Sequence, residues 1–314
     1  MQYYIKRWLT YITLVIALVA GSLSLSGCNL QANIPNMGQG SSATTSQASD
    51  AITGTLDVYT LDIGQGDAHL IKVGNEYTLL DTGDVDHRDR LIALLKQYNV
   101  SSLKNVIITH PHADHMGGFY ALIKAGIPIG HVYDNGMDAS TSVYKTYIKN
   151  MTAKNIVHSA LYKGAVVDLG SGATFTVYAP EEGNYILDNK GRPDPNDNSI
   201  VGKLTFGKFS MLFTGDASRA EENRLIKEEN TKLSSRVLKV GHHGSASSSQ
   251  KDFLRSVRPE LAVISVGLHN DYGHPTSQAL KRLNDENILV YRTDTQGTIR
   301  IHTDGNTWNV TTER

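Results

Sequence analysis

The chain has 314 residues, with 30 lysines and arginines against 31 aspartates and glutamates and a formal net charge of −1. That balance supplies no global attraction to a polyanion, although metal ions and a local patch could still hold one. The only cysteine, Cys28, excludes a disulfide within the chain.

Lys6 and Arg7 precede an apolar run over residues 8–20, and small residues follow at Gly21-Ser22. A charged start, an apolar core too short for a comfortable span and a small-residue end describe a secretory signal over residues 1–27. The run closes on Leu25-Ser26-Gly27-Cys28, which resembles the bacterial lipobox, whose cysteine becomes a lipidated amino terminus. The expectation is an exported bacterial lipoprotein, anchored by lipid on Cys28 to the outer face of the cytoplasmic membrane or the cell envelope. An uncleaved anchor is the alternative. Residues 28–53 are mostly Ser, Thr, Gln, Asn, Gly and Ala, which cannot bury enough surface to offset ordering entropy. They read as a flexible tether. Residues 54–314 are of a size to form one large domain with a full core.

Strands are expected over 55–62, 68–73 and 77–81, with turns at Gly64-Gln65-Gly66 and Gly74-Asn75. Leu91, Leu94, Leu95 and Tyr98 recur at helical spacing within 86–98. A strand over 104–109 leads into a histidine cluster, and helices over 119–125 and 142–154 flank a short strand at 131–133. After a strand over 173–178 comes a long polar stretch, 181–198, broken by Gly183, Gly191, Pro193 and Pro195. A loop of that length inside a compact domain is usually functional or mobile. The runs 200–206 and 209–213 form a hairpin across Gly207-Lys208 that feeds Thr214-Gly215-Asp216. A helix over 217–229, strands over 236–240 and 261–266, a helix over 276–287 and strands over 288–292, 298–302 and 307–311 complete the chain.

The organising stretch is Val106-Ile107-Ile108-Thr109-His110-Pro111-His112-Ala113-Asp114-His115. A β-branched apolar run stops at Pro111, which cannot donate to a ladder, so the histidines fall on a loop at the strand's carboxyl end. His110 and His112 are two apart and in extended backbone point the same way, so they can share one ion. Asp114 and His115 can face a second ion beside it. Imidazole and carboxylate groups packed so densely suit a divalent metal such as zinc or manganese. Further strands end at Asp216, at Gly241-His242-His243-Gly244-Ser245 and just before Tyr272-Gly273-His274-Pro275. Ligands bind at the carboxyl edge of strands in α/β folds, so one shared site is expected.

With these motifs, the chain resembles the metallo-β-lactamase fold superfamily and, more narrowly, the soluble hydrolase domain of ComEC-type competence proteins. The narrower match adds Asp62-Ile63-Gly64-Gln65-Gly66-Asp67-Ala68 and Asn196-Asp197-Asn198-Ser199, and the resemblance covers essentially everything from Thr55 to the carboxyl terminus. The resemblance implies an α/β (α+β) domain, a four-layer αββα sandwich with a di-metal site of zinc or manganese at one sheet edge. It implies His110 and His112 on the first ion, Asp114 and His115 on the second, and Asp216 as the bridging carboxylate. The superfamily's usual histidine before the hairpin is missing from Asn196-Asp197-Asn198-Ser199, so His242 is expected to complete the first set. Asp67 is the candidate that completes the second, or else a turn-capping aspartate, and Asp81 matches a residue that buttresses a ligand histidine. His243 is either a substrate contact or a packing residue. His274 is a proton donor to the leaving group, a late metal ligand or a turn histidine. Asn198, Ser199 and Ser245 are read as substrate contacts. Ser245 and Ser247-Ser248-Ser249 are read as helix caps or phosphate contacts.

The implied activity is an extracytoplasmic phosphodiesterase or nuclease using a di-metal-activated hydroxide that Asp114 orients, with extracellular DNA as substrate. A cell-envelope phosphodiesterase acting on a wall polymer, phosphorylcholine-esterase-like, is the alternative. A lactam or lactone hydrolase follows, and a non-catalytic metal-binding lipoprotein stands last.

Overall fold

The computed structural model describes residues 54–314, so the expected signal over 1–27, Cys28 and the expected tether over 28–53 lie outside the described residues. The first half runs β1 (Leu56–Thr60), β2 (His69–Val73), β3 (Glu76–Leu80), α1 (Arg88–Gln97), β4 (Leu103–Ile107), α2 (Ala113–Met116), α3 (Phe119–Lys124), β5 (Ile129–Asp134), α4 (Ser142–Ala153) and β6 (Val157–Ala160). The second half runs β7 (Val166–Gly170), β8 (Ala173–Ala179), β9 (Val201–Phe206), β10 (Phe209–Phe213), α5 (Arg219–Glu228), β11 (Val237–Lys239), α6 (Lys251–Val257), β12 (Leu261–Ile264), α7 (Ser277–Asp285) and β13 (Leu289–Arg292). It closes with α8 (Thr293–Gln296), β14 (Ile299–Thr303) and β15 (Trp308–Thr312).

One sheet has the order β15-β14-β1-β2-β3-β4-β5-β6 and the other β13-β12-β11-β10-β9-β8-β7. Each is antiparallel in one part and parallel in the other: β3 to β6 in the first, β10 to β13 in the second. Alternation explains which face goes where. Phe175 and Val177 of β8, Phe213 of β10 and Val58 of β1 join one buried cluster made only of the two sheets' inner faces and adjoining segments. The outer faces form two further clusters. Leu91, Leu94 and Leu95 of α1 pack with Phe119 and Tyr147 on the first sheet, and Phe253, Leu254 and Leu283 pack on the second. Helices outside and two sheets inside make the expected four-layer sandwich. Among the described residues no helix is long and apolar enough to cross a membrane.

Several elements differ from the reading of the sequence. β6 and β7 sit at sheet edges, so their outward residues Val157 and Val166 are exposed and their patterns are weak. α6 hides behind a serine run that reads as loop. The histidine cluster is only partly a loop: Ala113–Met116 is one helical turn, so Asp114 and His115 project from a helix while His110 and His112 precede it.

Candidate metal centre

The carboxyl ends of the parallel strands converge. Asp81 follows β3, His110 follows β4, Asp216 follows β10, and His242 and His243 follow β11. Asp81, His242 and His243 take left-handed backbone, with φ of 59°, 48° and 52°. Such strain in residues other than glycine persists only where surroundings hold it, and here it turns consecutive imidazoles toward one point. Gly66 permits the Gly-Gln-Gly turn to press on the helical turn, since a Cβ there would lie 2.2 Å from the Asp114 carbonyl oxygen.

Asp216 stands at the centre and is buried. Its Oδ1 lies 3.2 Å from His115 Nε2 and 3.6 Å from His243 Nε2. Its Oδ2 lies 3.6 Å from His242 Nε2 and 3.8 Å from His110 Nε2. His112 Nδ1 is 3.1 Å from His110 Nε2. Asp114 Oδ2 is 3.3 Å from His243 Nε2 and 3.9 Å from His115 Nε2. The donors therefore divide into two sets that share only Asp216: His110, His112 and His242 on one side, Asp114, His115 and His243 on the other.

Outer partners fix which imidazole nitrogen faces inward. His115 Nδ1 is 2.9 Å from Asp81 Oδ2, and His243 Nδ1 is 2.9 Å from the Ser265 carbonyl oxygen. Each ring thus donates outward and presents Nε2 to the centre. Asp81 is in turn held by the Thr109 amide and hydroxyl, which donate at 2.7 and 2.8 Å. Ser199 Oγ lies 3.3 Å from His110 Nδ1 and accepts from the Asp216 amide at 3.1 Å. Because Asp81 takes three donors on two oxygens, Asp81→Asn would turn its amide hydrogens on one of them. Metal affinity is expected to fall about 10–100-fold with the fold retained, read by calorimetric titration of stripped protein.

The site fits divalent cations on the chemistry of its own donors. His115 Nε2, His243 Nε2 and Asp216 Oδ1 are buried and aligned with no hydrogen-bond partner, although they lie within 4 Å of one another's groups. Burial opposes charge on both rings, yet Asp216, Asp81 and Asp114 hold His115 well above the ordinary histidine range. His243 is likewise pushed up to about 10, against its burial, by Asp216 and Asp67 and its hydrogen bond to Asp114. Despite its own burial, Asp216 is held well below the usual carboxylate range by His115 and His243. Imidazolium charge thus occupies a place that a cation would take while displacing the Nε2 protons. Asp114, His115, Asp216 and His243 have ligand atoms mutually within 4.8 Å.

Several expected roles change. Asp67 does not face the shared centre. Its Oδ2 is 2.5 Å from Lys239 Nζ, and it approaches His243 and His115 from their Nδ1 sides at 3.4 and 3.9 Å. Asp67, Asp81 and His115 also lie within 4.8 Å, but Lys239 and the donors on Asp81 take up that side. His243 stands where Asp67 was expected, as the third member of the second set. Asn198 is fully buried and bonds the loop to itself: its amide donates to the Ile186 and Asp194 carbonyls and its oxygen accepts from the Ile186 amide. It has no face for substrate, and buried Ser199 is a support for His110 and Asp216. Ser245 bonds Ser247, while the α6 amino end is capped by Glu222, whose carboxylate accepts from the Ser249 and Gln250 amides, rather than by serine. His274 lies beside the site, its ring 5.6 Å from that of His242, and is half-buried. Sequence reasoning missed Lys239, whose signal was a lone cation in the apolar run Val237-Leu238-Lys239-Val240.

Two clefts flank the centre. One, of about 480 Å³, opens beside Asp114 and Tyr272, and the other, of about 590 Å³, opens beside His112, Tyr185 and Arg192.

This fold with this donor set defines a metal-dependent hydrolase, and the chain belongs to the metallo-beta-lactamase superfamily, whose model matches residues 61–268. More narrowly, it is similar to Competence protein ComA of Neisseria gonorrhoeae, 31% identical over 240 residues that cover 76% of this chain and 31% of that protein. ComE operon protein 3 of Bacillus subtilis is 28% identical over 265 residues, covering 78% of this chain and 32% of that protein. The chain thus spans about a third of the length of these relatives. Among solved structures, the metallo-beta-lactamase fold protein YhfI from Bacillus subtilis superposes with a TM-score of 0.52 at 12% identity, covering 78% of this chain and 98% of that one. CmlA, a diiron beta-hydroxylase from Streptomyces venezuelae, also gives 0.52 at 13% identity, covering 79% of this chain and 54% of that one. Architecture is common to both, so the reaction has to be argued from the site.

Proposed function

We propose that this chain is a phosphodiesterase acting on nucleic acid outside the cytoplasm, with its domain tethered through lipid on Cys28. The observation that carries the reading is Asp216 with two imidazoles on each of its oxygens, at the junction of two clefts open to an extended substrate. Similarity to competence proteins supports nucleic acid as the diester.

His110, His112 and His242 would hold one divalent ion and Asp114, His115 and His243 the other, with Asp216 shared. Zinc or manganese there supplies a Lewis acid for a phosphoryl oxygen and lowers the pKa of water. Asp114 is partly exposed to the cleft, so its carboxylate can accept a hydrogen bond from an attacking water and aim it. His274 is pushed below the ordinary histidine range by burial and by His242 and His243, so near neutrality it is uncharged. A neutral imidazole beside His242 can donate a hydrogen bond to a leaving oxygen without repelling the cations.

Metal-stripped protein reloaded with zinc or manganese is expected to cleave single-stranded DNA and bis-p-nitrophenyl phosphate, and chelation to stop both. Cleavage of the small diester with DNA left intact would transfer the assignment to the envelope phosphodiesterase. No turnover of either ester would leave a binding protein.

A further inference from the structure

We infer that the cleft beside Asp114 is a nucleoside subsite in which one base stacks on Tyr272, an assignment that rests on the nucleic-acid reading above. Tyr272 is 67% exposed, and Leu268, also lining the cleft, is 64% exposed. Two large apolar side chains in solvent at the rim of a polar metal site call for an occupant with an apolar face.

The tyrosine is set in a built platform. Its ring stacks on His274 at 6.0 Å with planes 22° apart, and His274 packs against His242 at 5.6 Å, so three rings lead from solvent to the metal ligands. The loop that carries it is fixed by Asn270, whose amide donates to the Gly267 and His274 carbonyls while its oxygen accepts from the Tyr272 and His274 amides. A rigid aromatic with one face supported and the rest open loses little entropy when a flat ring lies on it.

Charge says which part of the substrate enters. Asp84, Asp86 and Asp271 line this cleft with Asp114, and no lysine or arginine does. A second phosphate would meet carboxylates there, whereas an uncharged base and sugar would not. The opposite cleft holds Arg192, whose guanidinium is paired with Asp188 at 2.8 Å, and Asp138 lines it as well, so the carboxylates of the first cleft alone set the selection by charge. A volume of about 480 Å³ accommodates one nucleoside. Tyr272 is therefore a specificity residue that separates nucleotide diesters from simple ones.

The test is a double cycle with metal-loaded protein. Short single-stranded oligonucleotides carry one abasic residue, moved position by position, and are cut by the unaltered chain, by Tyr272→Ala and by Tyr272→Phe. At one position the abasic change should lower kcat/KM roughly tenfold for the unaltered chain, mainly through KM. With Tyr272→Ala the same change should cost nothing further, and Tyr272→Phe should restore the base preference. Multiplying losses, or an equal fall with Tyr272→Ala on DNA and on dimethyl phosphate esters, overturns the subsite while leaving the nuclease reading intact. If every oligonucleotide survives, both readings fall together. If Tyr272→Ala and Asp86→Asn instead slow only a phosphocholine ester, the cleft takes a cation and the nucleoside subsite is wrong.

Discussion

Asp216→Ala is expected to abolish turnover and to empty both halves of the site. The residue's two oxygens face four imidazole nitrogens at 3.2–3.8 Å, two from each set, which makes it the carboxylate between them. Loss of one outer partner typically costs about 10–100-fold in metal affinity or activity, so loss of the shared ligand should exceed that on kcat/KM. Elemental analysis should find neither ion retained in stoichiometric amount. One ion held at full occupancy would place the bridge elsewhere. The pH dependence carries a sign that can be checked independently. His243 is raised from 6.5 to about 10 in the folded chain, so without metal it contributes stability in full below pH 6.5. That contribution is lost as pH rises toward 10. Stripped wild-type protein should therefore soften to denaturant across that interval. Asp216→Ala removes the largest charge that raises His243, so its slope should be shallower. Metal-loaded protein should show little slope, since the Nε2 proton is already displaced.

The legible part of this site was the part written as strand ends. His110 and His112 are two residues apart in extended chain, and Asp216 terminates an apolar hairpin, so spacing and pattern alone placed them near a common edge. What pattern could not give was orientation. His242 and His243 are adjacent, and ordinary extended backbone would send them to opposite faces. Both reach the centre because each is left-handed, a conformation with no signature in a Gly-His-His-Gly run. Asp67 shows the converse limit. A carboxylate after a tight glycine turn was rightly taken to approach the site, but its partner is 172 positions along the chain at Lys239, and long-range ion pairs leave no local mark. Asn198 and Ser199 misled for a third reason, because polar residues that serve the backbone of a long loop have the same composition as polar residues that touch substrate. The edge strand β6 has no buried face and β7 only one, whereas central strands carry apolar runs that need no context.

Lys239→Met should be the most destabilising single change near the centre that touches no proposed ligand. Lys239 is 1% exposed, and its ammonium lies 2.5 Å from Asp67 and donates to the Gly215 carbonyl at 3.2 Å. It thereby ties the turn that follows β1 in one sheet to the Thr214-Gly215-Asp216 end of β10 in the other. Methionine fills the same volume but takes away the nearest counter-charge of the buried Asp67 carboxylate, leaving only the more distant His243 at 3.4 Å, a loss of about 3–5 kcal/mol. For a domain of this size that corresponds to a fall of roughly 10 °C in Tm. Adding Asp67→Asn should recover most of the stability, because the penalty belongs to the unpaired charge rather than to the missing contact. The same pair of variants decides what Asp67 is for. If the cation only neutralises Asp67, the double variant should bind two ions with near-normal affinity once refolded. If Asp67 is a ligand after all, Lys239→Met should keep its Tm in the presence of excess metal and tighten the second ion, and the double variant should lose it.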